Sequence, residues 1–123
     1  MTIKIIIQGA DEVKKYLKDR EKNIKQETST GLSKAALFVQ GEVKSSIAGQ
    51  RAEPTSVDTG RFLNSVDINV GKDDAIIFTD ISYSKFLEYG TSNIIPRSHF
   101  RNSAARNKQK AKELIESEIK KSI

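Results

Sequence analysis

The 123 residues supply one domain and one hydrophobic core, and 37% hydrophobic with 30% charged residues excludes a disordered chain. The absence of cysteine excludes a disulfide framework and a thiolate metal site. The net charge of +5 is uneven: residues 1–96 balance 13 Lys/Arg against 13 Asp/Glu, and residues 97–123 set eight basic side chains against three acidic ones.

Ile3–Gln8 is β-branched and ends at Gly9, which predicts a strand over 3–8. Its apolar run is too short for a secretion signal, and no stretch approaches the roughly 20 apolar residues of a membrane span. Asp11 and Glu12 suit the positive end of a helix dipole, and Val13, Tyr16, Leu17 and Ile24 follow at helical spacing. The stripe resumes with Leu32, Ala35, Ala36, Val39, Val43 and Ile47 after the apolar-poor stretch 26–31, which contains Gly31. Residues 11–48 therefore predict one long helix, or two joined by a kink at 26–31, stopping at Gly49. Residues 49–57 have the composition of an exposed, flexible loop.

Asp58 is placed to cap a short helical turn at 61–65. Val66, Ile68 and Val70 alternate with polar residues, a turn follows, and Ala75–Thr79 is apolar, so 65–80 reads as a hairpin. Residues 83–90 read as a short aromatic helix closed by Gly90, and 91–97 as a loop carrying Pro96. A last helix spans 99–121, with Ala104, Ala111, Leu114, Ile115 and Ile119 along one side. Strand, long helix, hairpin and helices in this order predict a single α+β domain over 1–123. In it a small, mainly antiparallel sheet of three to four strands packs against long N- and C-terminal helices. The edges of so small a sheet invite coverage by a neighbouring subunit.

The residues offer little chemistry. His99 is the one histidine, without a second histidine, a cysteine or a serine elbow, and all seven glycines stand singly, so neither a zinc site nor a phosphate loop is indicated. Asp58-Thr59-Gly60 is the tripeptide of aspartic proteases, but the preceding Glu53-Pro54-Thr55-Ser56-Val57 is not the buried apolar strand such a carboxylate requires. Glu88 among aromatics reads as a hydrogen-bonded or ion-paired residue fixing a turn or an interface, with Arg97 and Arg61 as candidate partners. No catalytic residue, cofactor or metal is expected.

Three segments together resemble the tail-completion, or head–tail joining, proteins at the neck of long-tailed bacteriophages. They are Asp58-Thr59-Gly60-Arg61-Phe62-Leu63-Asn64-Ser65-Val66, Tyr83-Ser84-Lys85-Phe86-Leu87-Glu88-Tyr89-Gly90-Thr91, and Pro96-Arg97-Ser98-His99-Phe100. Order and spacing match over about a third of the chain. Ser98-His99 and Arg101-Asn102 stand where that family usually carries prolines. The resemblance implies a non-enzymatic ring, a hexamer in the virion, that completes the tail and joins it to the head connector. Its partners would be further copies of itself, a connector or stopper protein, a tail-terminator or tail-tube protein, and DNA in the channel. It would reside in the virion neck, after assembly in the host cytoplasm, with no membrane involved.

Candidate interface residues on this reading are Asp58, Thr59, Gly60, Phe62, Leu63, Tyr83, Phe86, Glu88, Tyr89, Gly90, Thr91, Pro96, Arg97 and Phe100. Arg101, Arg106, Lys108, Lys110 and Lys112 form a candidate basic surface, and the loop 49–57 is expected to order on docking. Two other readings compete: a basic nucleic-acid-binding protein of a mobile element, and a tail terminator or minor tail protein of the same fold.

Overall fold

The computed structural model describes residues 3–8, 21–56, 60–72 and 74–120. In chain order the elements are β1 (Ile3–Gln8), α1 (Glu21–Ile47), α2 (Arg61–Ser65), β2 (Asp67–Val70), β3 (Asp74–Thr79), α3 (Ser84–Tyr89) and α4 (His99–Lys120). The expected helical residues 11–20, and position 121 of the expected last helix, lie outside the described residues.

Segregation of strands and helices makes an α+β fold of two layers. The described sheet has the order β1-β3-β2, with both pairs antiparallel. Ile5 lies opposite Ile77, and Ile77 opposite Ile68, so one face gathers apolar residues in a row. Along β3 the buried residues are Ala75, Ile77 and Thr79, alternating as a strand covered on one side must.

The covering layer is the pair α1 and α4, which pack on each other. α1 also lies on β2 and β3, and α4 on β1. Leu32, Ala35, Ala36, Val39, Val43 and Ile47 of α1 meet Phe100, Ala111, Ile115 and Ile119 of α4 in one core. Spacings of three and four put each set on a single helix face.

α1 continues through Gly31, where a break was one of two expectations. A Cβ on Gly31 would sit 3.0 Å from the Ile115 Cα and 3.2 Å from its carbonyl oxygen. The glycine lets two backbones approach, which accounts for it without a kink. On the same stretch of contact, Lys34 of α1 pairs with the buried Glu118 of α4.

The hairpin is tied to this layer by Gln40, whose Nε2 donates to the Val66 carbonyl over 2.9 Å. Ser65, read both as the last residue of the helical turn 61–65 and as the start of the hairpin 65–80, is the last residue of α2. There its hydroxyl donates to the Phe62 carbonyl over 2.6 Å and meets the Thr79 hydroxyl at 2.6 Å.

Candidate functional site

The N-terminal end of α4 is where most of the described polar structure converges. Residues 49–57 were expected to form a flexible loop; Val57 lies outside the described residues, and the described part, 49–56, is fastened at several points. Gly49 turns the chain at φ +84°, and the Ser56 N–H and Thr55 hydroxyl both donate to the Ile47 carbonyl, over 2.8 and 3.1 Å. Arg51 grips Glu42 through two bonds of 2.7 and 3.2 Å, which lowers the Glu42 pKa. Composition suggested a mobile segment because it is polar; the structure shows that its polar groups have partners.

The strongest fastening is Glu53, buried at 6% exposure. The Arg106 guanidinium binds its carboxylate through both terminal nitrogens, at 2.6 and 2.8 Å, and Asn102 Nδ2 adds a bond of 3.1 Å. Ser46 Oγ donates to it over 2.5 Å. The Arg106 bond is the main reason that Glu53 is held down to about 2, against the opposing effect of burial.

His99 joins the same network: its Nδ1 lies 2.7 Å from Ser46 Oγ and its Nε2 2.7 Å from Ser56 Oγ. Ser46 spends its single proton on Glu53, so its oxygen accepts from His99 Nδ1–H. The other ring nitrogen then accepts from the Ser56 hydroxyl, and hydrogen bonding assigns the neutral Nδ1–H tautomer. Burial is the largest cause that lowers the His99 pKa to about 4; Glu53 opposes it, and Arg97 and Arg106 reinforce it. The chain Ser56–His99–Ser46–Glu53 has the outline of a nucleophile with a base. It also ties the segment 46–56 to the start of α4. The histidine is a weakened base, the carboxylate is neutralised by arginine, and the Ser56 N–H is already committed to Ile47.

Glu88, on α3, is buried at 2% exposure and caps α4 from outside the helix. Its two carboxylate oxygens accept the Phe100 and Arg101 N–H groups, each at 2.9 Å. These are among the donors that a helix start leaves unpaired, and a carboxylate there also meets the positive end of the dipole. Ser98, at the same helix start, donates its hydroxyl to the Glu88 carbonyl over 2.7 Å. The cation beside the Glu88 carboxylate is Arg101 at 3.2 Å, where Arg97 and Arg61 were the expected candidates. Arg97 instead donates to the Thr55 carbonyl over 2.9 Å.

The aromatic motif divides into core and surface. Phe62 is buried, set edge-on to Tyr83 at 6.1 Å and to His99 at 6.0 Å, and stacked on Phe100 at 6.5 Å. Phe100 is buried, and Leu63 and Leu87 pack against the core. Tyr83, Phe86 and Tyr89 face solvent, with Tyr89 at 53% exposure. Ile94 and Ile95, in the loop that follows, are exposed as well, Ile95 at 86%. Gly90 makes the fold-back possible: at φ +76° its Cβ position falls 2.7 Å from the Ile94 carbonyl and 2.8 Å from the Pro96 ring. Thr91 and Ile94 exchange backbone bonds of 2.9 and 3.3 Å, which closes the loop.

Thr91 and Pro96 lie on the surface around this patch, Arg97 is half-buried, and Gly60 turns into α2 at φ +81°. Asp58 and Thr59 lie outside the described residues, and with them the expected helix cap. Of the five residues expected as a basic surface, Arg101 and Arg106 are engaged with Glu88 and Glu53. Lys108, Lys110 and Lys112 are exposed along α4. Sequence reading missed Glu53, Ser46, Ser56 and Asn102, because partners some 50 residues apart leave no local trace. It also missed Ile94 and Ile95, for which two adjacent β-branched apolar residues in a loop were the available signal. Among the described residues no group of His, Cys, Asp or Glu is arranged to hold a metal ion, and no helix is long and apolar enough to cross a membrane.

A family model described as "Bacteriophage HK97-gp10, putative tail-component" matches residues 11–90. No curated protein and no solved structure matches the chain at a significant level.

Proposed function

The chain belongs to the HK97-gp10-like family of phage tail components, matched over 80 of its 123 residues, and from that premise we propose that it is a non-catalytic ring subunit at the head–tail interface. It completes the tail and joins it to the head connector. The working mechanism is binding: copies close into a ring, a hexamer in the virion, and the ring docks a connector or stopper protein on one side and a tail-terminator or tail-tube protein on the other.

The observation that carries this reading is the exposed patch of Tyr83, Phe86, Tyr89, Ile94 and Ile95 on a tightly anchored support. Monomers seldom leave clustered large apolar side chains in water without a use for them. Aromatics on a preorganised base are the groups from which assembly contacts draw most of their strength. The Glu88 cap and the Glu53 clamp hold the segments on either side of the patch, so ordering costs on docking are small. Engagement of Arg101 and Arg106 in ion pairs weakens the rival reading of a nucleic-acid-binding helix, since two of its five expected cations already have carboxylate partners. Lys108, Lys110 and Lys112 would face an acidic partner ring or the DNA of the channel.

The test is a particle-assembly assay in which the gene is deleted from its phage. Filled heads and finished tails should accumulate unjoined, and purified protein should join them in vitro. Intact infectious particles in the deletion strain would refute the proposal.

A further inference from the structure

We infer that residues 49–56 are a latch that opens as a unit when His99 takes up a proton, while the helix layer and the sheet stay folded.

The fastenings of the latch are polar. Of residues 49–56, Glu53 is buried and Ser56 half-buried, while the apolar residues Ala52 and Pro54 are exposed. No apolar side chain of the segment enters the core, so opening it gives up little hydrophobic free energy. It is held instead by the Ser56 N–H on the Ile47 carbonyl at 2.8 Å and the Thr55 carbonyl on Arg97 at 2.9 Å. The third hold is the Glu53 carboxylate on Arg106, Asn102 and Ser46. Segments with few buried apolar contacts open below the free energy of global unfolding.

His99 joins this segment to the end of α1. Its Nδ1–H donates to Ser46, and its Nε2 accepts the Ser56 hydroxyl of the latch, each over 2.7 Å. A proton can enter the neutral ring only at Nε2, where it sets an N–H against the Ser56 O–H, donor against donor. The Ser56 hydroxyl must turn away. The new charge finds no free carboxylate, because Arg106 binds Glu53 on both oxygens. The charged groups acting on the ring are Glu53 of the latch, Arg97 before α4 and Arg106 on α4, and both arginines repel a cation. α1 and α2 present Ser46 and Phe62 to it, neither of them charged. Glu88 of α3 is spent on the next two amides of α4. His99 is also the first residue of α4, at the positive end of its dipole. It is fully buried with Ser56 against Nε2, so lifting the latch gives that nitrogen to water, and a protonated ring favours the open segment.

The single histidine gives one imidazole to follow by NMR, and amide exchange on the full chain follows the latch. As pH falls from 6.5 to about 4, protection of the Ser56 amide should fall and then level off, by up to about 300-fold in all. Val43 and Ile115 of the core should stay far more protected, and low urea should speed their exchange but not that of Ser56. His99→Gln should hold Ser56 protection flat over the same range. Ser56→Ala, at a half-buried site, should raise the imidazole midpoint from about 4 toward 6.5 with the core intact. Ser56 protection that stays flat in the native chain, or that falls with the urea dependence of Val43, would overturn the inference. A fall that persists in His99→Gln would do the same. Should His99→Gln fail to fold, an imidazole midpoint unmoved by Ser56→Ala would overturn it.

Discussion

Replacing Glu88 by alanine should be among the most damaging changes outside the apolar core. The carboxylate accepts the Phe100 and Arg101 N–H groups at 2.9 Å each and pairs with the Arg101 guanidinium at 3.2 Å. Alanine leaves the buried Phe100 N–H without a partner, at a cost of about 1–3 kcal/mol, and removes a helix cap worth about 1 kcal/mol. Arg101 is half-exposed and recovers water, so its contribution is small. The total is about 2–4 kcal/mol, and for 123 residues a loss of 1 kcal/mol lowers Tm by about 4 °C, so the fall should be about 8–16 °C. Glu88→Gln keeps an oxygen for Phe100 and should fall between the two. Thermal and urea unfolding followed by circular dichroism gives the magnitude, and amide exchange at Phe100 and Arg101 gives the location. A Glu88→Ala Tm within about 2 °C of the native protein would refute the capping argument.

Other consequences can be checked as readily. His99, lowered from 6.5 to about 4 in the fold, binds fewer protons than the unfolded chain between those values. Its contribution is therefore complete above pH 6.5 and lost as pH falls toward 4, by at most about 3 kcal/mol, and His99→Gln should flatten that part of the stability–pH curve. Glu53 acts the same way in a lower window, its contribution complete above pH 4.5 and lost toward pH 2, so Glu53→Gln should remove that slope in acid titration. Gly31→Ala gains about 1 kcal/mol of helix propensity but sets a methyl 3.0 Å from the Ile115 backbone, and unfolding should show a net loss of about 1 kcal/mol. Tyr89→Ser with Ile95→Ser should leave Tm within about 2 °C, since both side chains are exposed, while abolishing incorporation into tails.

What could be read from the sequence was whatever is periodic. The stripe Leu32 to Ile47 and the alternation around Ile77 each announce their own element, because burial on one face imposes a repeat of 3.6 or 2 residues. Gly90 was legible for a related reason: a sharp turn after an aromatic helix needs positive φ. The clamp was not legible. Glu53 and Arg106 are 53 residues apart, Ser46 and His99 likewise, and each looks like a solvated polar residue until the fold makes them neighbours. For the same reason a polar loop was taken for a mobile one, and Arg101 and Arg106 for free surface charge. Glu88 was read as fixing a turn or an interface through Arg97 or Arg61, and its actual partners, the Phe100 and Arg101 N–H groups and the Arg101 guanidinium, depend on how α3 meets α4.

Reconstruction of the neck region of assembled particles tests most directly whether this tail component works as a ring at the junction of head and tail. The expected result is a closed ring of this chain between the connector and the tail tube, with the exposed Tyr89 side chain of each copy buried in an assembly contact. Finding the chain only at another position in the particle, or as a single copy with that side chain facing solvent, would contradict it.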